Sequence, residues 1–280
     1  MLRAAQMEDI LRAIVLGIVQ GLSEFLPISS SGHLIVVREL FGWQFTDNVT
    51  FDVALHVGTT VAVLAYFWRE WLAMFRSALC WLTGDRERHV GDVYDARLFW
   101  LIALGSIPVG ILGAAFESKV EDELRDPIIV GSMLIAFSAV LLLADRVGRG
   151  RRSLSDASWV DALLIGGAQA ISLVPGVSRS GITISAGLFR NFNRQDAARY
   201  SFLLSTPAIA GAALLKFAEA ARDGTLTDNL DQMLFGAAAS AMVGWLAIAY
   251  LMRLVRTHSF APFVVYRVLA GALAVAYFAL

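Results

Sequence analysis

A single cysteine, Cys80, leaves this chain without an internal disulfide and without any cysteine-based metal site. Charge is scarce as well. Asp, Glu, Lys and Arg make up 17% of the 280 residues, where about 25% is usual in a soluble protein. Neither sign dominates: the net charge is −1, so no basic field points to nucleic acid. Walker phosphate loops, dinucleotide glycine loops and HExxH zinc sites are all missing from the sequence. What is abundant is apolar. Hydrophobic residues reach 57% and the mean hydropathy is +0.63. A disordered chain is polar and highly charged, and a soluble domain of this size has too much surface to be so apolar. The remaining class is an all-α polytopic membrane protein, with room for about six to eight spans of ~20 residues.

Apolar runs between charge clusters fall at about 10–41, 51–68, 97–116, 127–147, 158–189, 200–218, 234–252 and 261–280. Six have ordinary spanning length. The stretches 10–41 and 158–189 are longer, and each is broken midway, at Pro27 to Gly32 and at Pro175 to Gly181. Non-helical backbone at membrane depth survives only where protein or a wet cavity covers it. Loops 148–156, 190–199 and 253–258 are rich in arginine, whereas 117–126 and 219–232 are acidic. The positive-inside rule sends the first three to the cytoplasm. Loop 69–96 is charge-balanced, and Arg69, Arg76, Arg86 and Arg88 suit the same side. Segment 158–189 then begins and ends inside, so it is expected to be re-entrant, and 10–41 likewise. The expectation is six transmembrane helices plus two re-entrant helical hairpins. Two further plain spans would put one loop on the wrong side. Trp68, Trp71, Trp100 and Trp159 sit at span ends, as interfacial anchors do.

Sliding the chain by 149 positions superposes Gln20 on Gln169, Ser23 on Ser172, Ser29 on Ser178, Ser31 on Ser180 and Gly32 on Gly181. Each half, about 10–147 and 158–280, reads as one hairpin followed by three spans. An odd number of spans per half inverts the second copy. That is the inverted-topology repeat, in which broken helices build a site near the bilayer midplane.

The first break carries Gln20 and Glu24 four residues apart, on one helix face. A carboxylate in lipid is expensive and marks function. Glu24 suits a divalent cation, Mg2+ or Ca2+, with Gln20 as a second oxygen donor, or a general base. The run Ser29-Ser30-Ser31-Gly32 places hydroxyls and backbone N–H groups at a turn, a cradle for an oxyanion. His33 follows and can trade a proton near neutral pH. The second break supplies Arg179 between Ser178 and Ser180, with Thr183 one turn on. Its guanidinium needs an anionic partner, either Glu24 in a structural ion pair or a phosphate. A carboxylate, a serine nucleophile candidate, a histidine, an arginine and helix N-termini are the parts of phosphoryl transfer.

On these residues the sequence resembles the undecaprenyl-diphosphatase family, also called bacitracin-resistance proteins. Gln20 to Glu24, running into Pro27 to His33, and Pro175 to Thr183 stand where that family has (E/Q)xxxE with PxSS(S/T)GH and PGxSRSGxT. The likeness covers essentially the whole chain. It implies a phosphatase of the bacterial cytoplasmic membrane that converts undecaprenyl diphosphate to the monophosphate and inorganic phosphate, recycling the carrier for peptidoglycan synthesis and conferring bacitracin resistance. It further implies a site open to the outer face and dependence on a divalent cation. Carried over, Glu24 is the second acid, Ser30 and His33 the reactive serine and histidine, and Arg179 the phosphate-binding arginine. Ser29, Ser31, Ser178, Ser180 and Thr183 lie beside them as substrate contacts. Gln20 stands where many members have Glu, so one acidic metal ligand is lost.

The implied route has Ser30 attack the terminal phosphorus while His33 or Glu24 takes its proton, with direct attack by water as the other route. The rival function is a polyprenyl-phosphate flippase or transporter on the same inverted-repeat scaffold. Such a carrier needs the arginine but no activated serine. The expected partners are a polyprenyl diphosphate lipid and the bilayer, not nucleic acid. The small-residue faces Gly105 to Gly113 and Gly236 to Gly244 suit close packing within one chain or between two copies of a homodimer.

Overall fold

The structure, a computed structural model, describes residues 2–43, 48–83, 94–223 and 230–280. Arg86 and Arg88, used above for the charge of their loop, and Asp228 of the acidic segment 219–232 lie outside the described residues. Eleven α-helices account for the described fold: α1 (Leu2–Phe25), α2 (Ser30–Phe41), α3 (Asn48–Tyr66), α4 (Trp68–Leu82), α5 (Ala96–Glu123), α6 (Pro127–Val147), α7 (Trp159–Ile171), α8 (Arg179–Phe189), α9 (Arg194–Asp223), α10 (Leu230–Leu254) and α11 (Ala261–Phe278). Stretches of α5, α6, α9, α10 and α11 are each long and apolar enough to cross a membrane. The chain is an all-α polytopic membrane protein.

Both long segments double back at their breaks. Ser30, at the start of α2, bonds Glu24 near the end of α1. Two turns later Arg38 grips Asp52. Phe51, beside that aspartate, packs on Gly236 together with Ala13 of α1, three turns before Glu24. α2 therefore runs back along α1. In the second segment Arg190, just past α8, donates to Asp161 in the first turn of α7 at 2.6 Å. Arg152 donates to the same buried carboxylate. α7 and α8 thus form a hairpin tied at its base, and both predicted hairpins are present.

α3 is followed by a second helix where a loop was expected: α4 continues from it after a 78° bend. The sequence reading left 69–96 as a loop because Arg69, Glu70 and Arg76 interrupt the apolar run. Arg69 and Arg76 lie exposed on one side of α4. Met74, Ser77 and Ala78 are buried on the other, the i, i+3, i+4 stripe of an amphipathic helix. Trp68, Trp100 and Trp159 are exposed, as anchors should be. Trp71 is not: its indole Nε1 is buried and the ring packs on the main core.

The closest helix crossings are built on glycine. A Cβ added to Gly17 of α1 would meet the Gly236 carbonyl at 2.2 Å, and one added to Gly166 of α7 would meet the Gly105 carbonyl at 2.1 Å. Gly131 and Gly271 press together in the same way where α6 meets α11. On α5 and α10, Gly105, Gly236 and Gly244 are thus used within the chain, whereas Gly110 has nothing within 4 Å of an added Cβ. Gly17→Val and Gly166→Val are each expected to cost roughly 1–3 kcal/mol through overpacking. Gly167→Ala, with nothing within 4 Å of its added carbon, should leave stability unchanged. Thermal unfolding in detergent checks the contrast.

Candidate active site

The two breaks share one backbone design. Ser29 caps α2 and Ser178 caps α8, both at φ 74°, and each side chain accepts the N–H of the glycine three residues on, Gly32 or Gly181. A non-glycine residue held at positive φ stores about 1–3 kcal/mol of strain, and such strain gathers at functional sites. The reward is position. α2 and α8 begin at Ser30 and Arg179, and their first N–H groups have no helical carbonyl to serve.

Glu24 joins these two starts. It is only 3% exposed, and its Oε1 accepts from Arg179 across the two hairpins. Its Oε2 accepts the Ser30 hydroxyl at 2.5 Å and the Gln20 amide at 2.9 Å. The second N–H of Gln20 reaches His56 Nδ1, also at 2.9 Å, and that nitrogen lies 3.4 Å from Glu24. Glu24, Ser29, Ser30, Ser31, His56, Ser178 and Arg179 line a cavity of about 460 Å³. Its walls run along Val109 to Ala114 of α5 and Pro207 to Leu215 of α9, and are largely apolar. Arg125, beyond the end of α5, also borders it and lies 3.5 Å from Asp52.

Not every expected site residue meets there. His33 is absent from the lining of this cavity. Its Nδ1–H donates to the Ser29 carbonyl at 2.7 Å and its Nε2 accepts from Tyr266 at 2.7 Å, with the two rings stacked. It borders a second cavity, between α2, α6 and α11. One residue of helix start separates the faces: Ser30 and Ser31 turn to Glu24 and the cavity, His33 away. Ser180 donates to the Leu26 carbonyl at 3.0 Å, which stitches the tips together. Thr183 is buried against the Arg179 carbonyl and Ser201. Neither lines the cavity.

Two residues that matter here escaped the sequence reading. His56 sits in an apolar span with nothing around it in sequence to signal a role. Arg267 is fully buried. It donates to the carbonyls of Pro27 in the first break and Gly176 and Val177 in the second, and also to that of Leu134. An arginine inside an apolar span was the signal that singled out Arg179, and it applied equally here.

The donors for a divalent cation are few. Among the described residues no three His, Cys, Asp or Glu side chains gather. Oε1 of Gln20, however, is buried with no partner, a hard oxygen beside the one carboxylate. Such a pair suits a cation that keeps its waters and is shared with substrate phosphates, not a closed protein cage.

The family model described as bacitracin resistance protein BacA matches residues 13–273. A protein of Desulforudis audaxviator is 48% identical over 258 residues, covering 92% of this chain and 94% of its own. One of Geobacter sulfurreducens is 47% identical over 270 residues, covering 96% and 98%. One of Pelotomaculum thermopropionicum is 44% identical over 262 residues, covering 94% of each chain. All three bear the name undecaprenyl-diphosphatase.

Removing Arg267 orphans the turn carbonyls of both breaks. Arg267→Leu is expected to destabilise the protein by on the order of 3 kcal/mol, read as a lowered thermal midpoint in detergent. Arg267→Lys, which keeps the charge but not the fork, should recover only part of it.

Proposed function

The chain belongs to the bacitracin resistance protein BacA family, and from that membership and the site's geometry we propose that it hydrolyses undecaprenyl diphosphate to undecaprenyl phosphate and inorganic phosphate. The observation that carries this reading is the Glu24 carboxylate held between the Ser30 hydroxyl and the Arg179 guanidinium. A passive carrier or flippase needs an arginine for its cargo, but no hydroxyl seated on a carboxylate.

The lipid tail lies along the apolar walls on α5 and α9, and the diphosphate sits at the hairpin tips. Arg179 and the free N–H groups at the starts of α2 and α8 bind its oxygens and stabilise the charge that develops on them. Ser30 Oγ forms a bond to the terminal phosphorus as the bridging P–O bond breaks, and its proton passes to Glu24 Oε2. Undecaprenyl phosphate leaves. Glu24 hands that proton to the departing phosphate, water then attacks the phosphoserine, and Glu24 carries a proton from that water to Ser30 Oγ as the Oγ–P bond breaks and inorganic phosphate is released. His56, beside Glu24 and Gln20, steadies the carboxylate through these exchanges. His33 acts as a positioning residue by bonding the carbonyl of the strained Ser29. Glu24 and Oε1 of Gln20 are the groups that would hold Mg2+ or Ca2+, which supplies charge neutralisation on the phosphate oxygens when bound.

The halves 10–147 and 158–280 read as inverted repeats. Support comes from the matched glycine crossings of α1 on α10 and α7 on α5, and from Gly131 on Gly271. The same scheme puts the cavity mouth, toward the C-terminal ends of α5 and α9, on the outer face of the bacterial cytoplasmic membrane. The acidic, arginine-poor segments 117–126 and 219–232 favour that side.

Phosphate release from a polyprenyl diphosphate in detergent tests the proposal. Ser30→Ala and Glu24→Gln should each lower kcat by roughly 1,000-fold with folding intact, and Arg179→Lys by about 100-fold. Measurable turnover in Ser30→Ala at the wild-type rate would discard the covalent route. His33→Gln should lower kcat with the pH profile unmoved, because it positions rather than transfers. Gln20→Glu adds a second carboxylate and should lower the Mg2+ concentration needed for half-maximal activity; an unchanged titration would remove Gln20 from the cation site.

A further inference from the structure

Arg199 and Gly211 are twelve residues apart on α9, about 18 Å along the helix axis. Gly211 borders the cavity just described. At the Arg199 end, two other cavities adjoin. One, of about 430 Å³, is lined by Arg149, Arg194 and Arg256 together with Asp145. The other, of about 330 Å³, is lined by Arg199, Arg253 and again Arg256. Gln195 faces both.

The charge here is unbalanced. Asp145 is the one carboxylate in either lining, and it is already taken by Arg194 at 2.5 Å and by the Phe260 N–H at 3.0 Å. Arg149, Arg253 and Arg256 are exposed and have no carboxylate partner among the described residues. The Nε of Arg199 is buried without an acceptor. Guanidinium groups gathered in this way bind phosphate oxygens. The surroundings are apolar. Leu143 and Val147, in the last turns of α6 before the pocket, are 54% and 50% exposed, and Tyr250 of α10 is 57% exposed.

We propose that this paired pocket binds the headgroup of an anionic phospholipid. A headgroup of the diphosphatidylglycerol class seats one phosphodiester in each cavity, with Arg256 between them and the acyl chains against α6 and α10. Basic pockets between spans at the cytoplasmic face recognise such lipids. A free phosphate shares the guanidinium contacts but makes no use of the apolar flank.

The test uses the full chain, purified in detergent and stripped of lipid. Thermal midpoints are measured with added diphosphatidylglycerol, phosphatidylcholine or inorganic phosphate, for the wild type and for an Arg149→Gln/Arg256→Gln variant. Neither residue has an ion-pair partner among the described residues whose loss would unfold the protein, and neither lines the catalytic cavity, so phosphatase activity in lipid-free detergent should match the wild type. A saturable rise with diphosphatidylglycerol alone, reduced by at least half in the variant, supports the site. No rise, an equal rise with phosphatidylcholine or with inorganic phosphate, or an undiminished rise in the variant overturns it. The readout is binding, so it stands or falls apart from the proposed hydrolase activity.

Discussion

A carboxylate inside a membrane protein has no bulk water to solvate it, so every oxygen lone pair must be met by a donor or the charge is lost. Glu24 is met by Arg179, Ser30 and Gln20. Arg179 and Ser30 belong to different hairpins, and this one carboxylate therefore obliges the two tips to come together. Removing one partner of a buried ion pair costs about 3–5 kcal/mol, which is comparable with the whole stability of many domains. The charge that makes the site expensive is also what holds it in register.

Breaking a helix leaves carbonyls on one side of the gap and N–H groups on the other. The two kinds of group are dealt with differently here. The carbonyls of Pro27, Gly176 and Val177 all converge on Arg267, a guanidinium with no carboxylate partner among the described residues. The N–H groups at the starts of α2 and α8, beside the serines and Arg179 that line the cavity, have no helical carbonyl to serve. Acceptors are therefore satisfied inside the protein, and donors are left for an anion. The positive-φ serines cap this arrangement, and their strain is offset by the bonds that Gly32, Gly181 and His33 make to them.

The separation of His33 from His56 follows from helix geometry. α2 starts at Ser30, so its first turn must aim some residues at Glu24 and others away from it. Ser30 and Ser31 line the cavity; His33 reaches back to the Ser29 carbonyl and across to Tyr266. α3 packs beside α1 and delivers His56 to the vacated place. A histidine adjacent in sequence to a reactive serine is thus adjacent in function only through the turn it braces.

The sequence alone determined the apolar helical class, the two broken segments, their spacing of 149 residues, and the presence of a carboxylate on one break and an arginine on the other. These were legible because burying a polar group in lipid is costly, so each one stands out against an apolar background. Tertiary structure decided which way each of those groups faces, that His56 rather than His33 stands beside Glu24, that Arg267 bridges both turns, and that α4 bends from α3 by 78°. Those outcomes depend on contacts between helices far apart in sequence and on the rotation of each helix about its axis, neither of which hydropathy or spacing records.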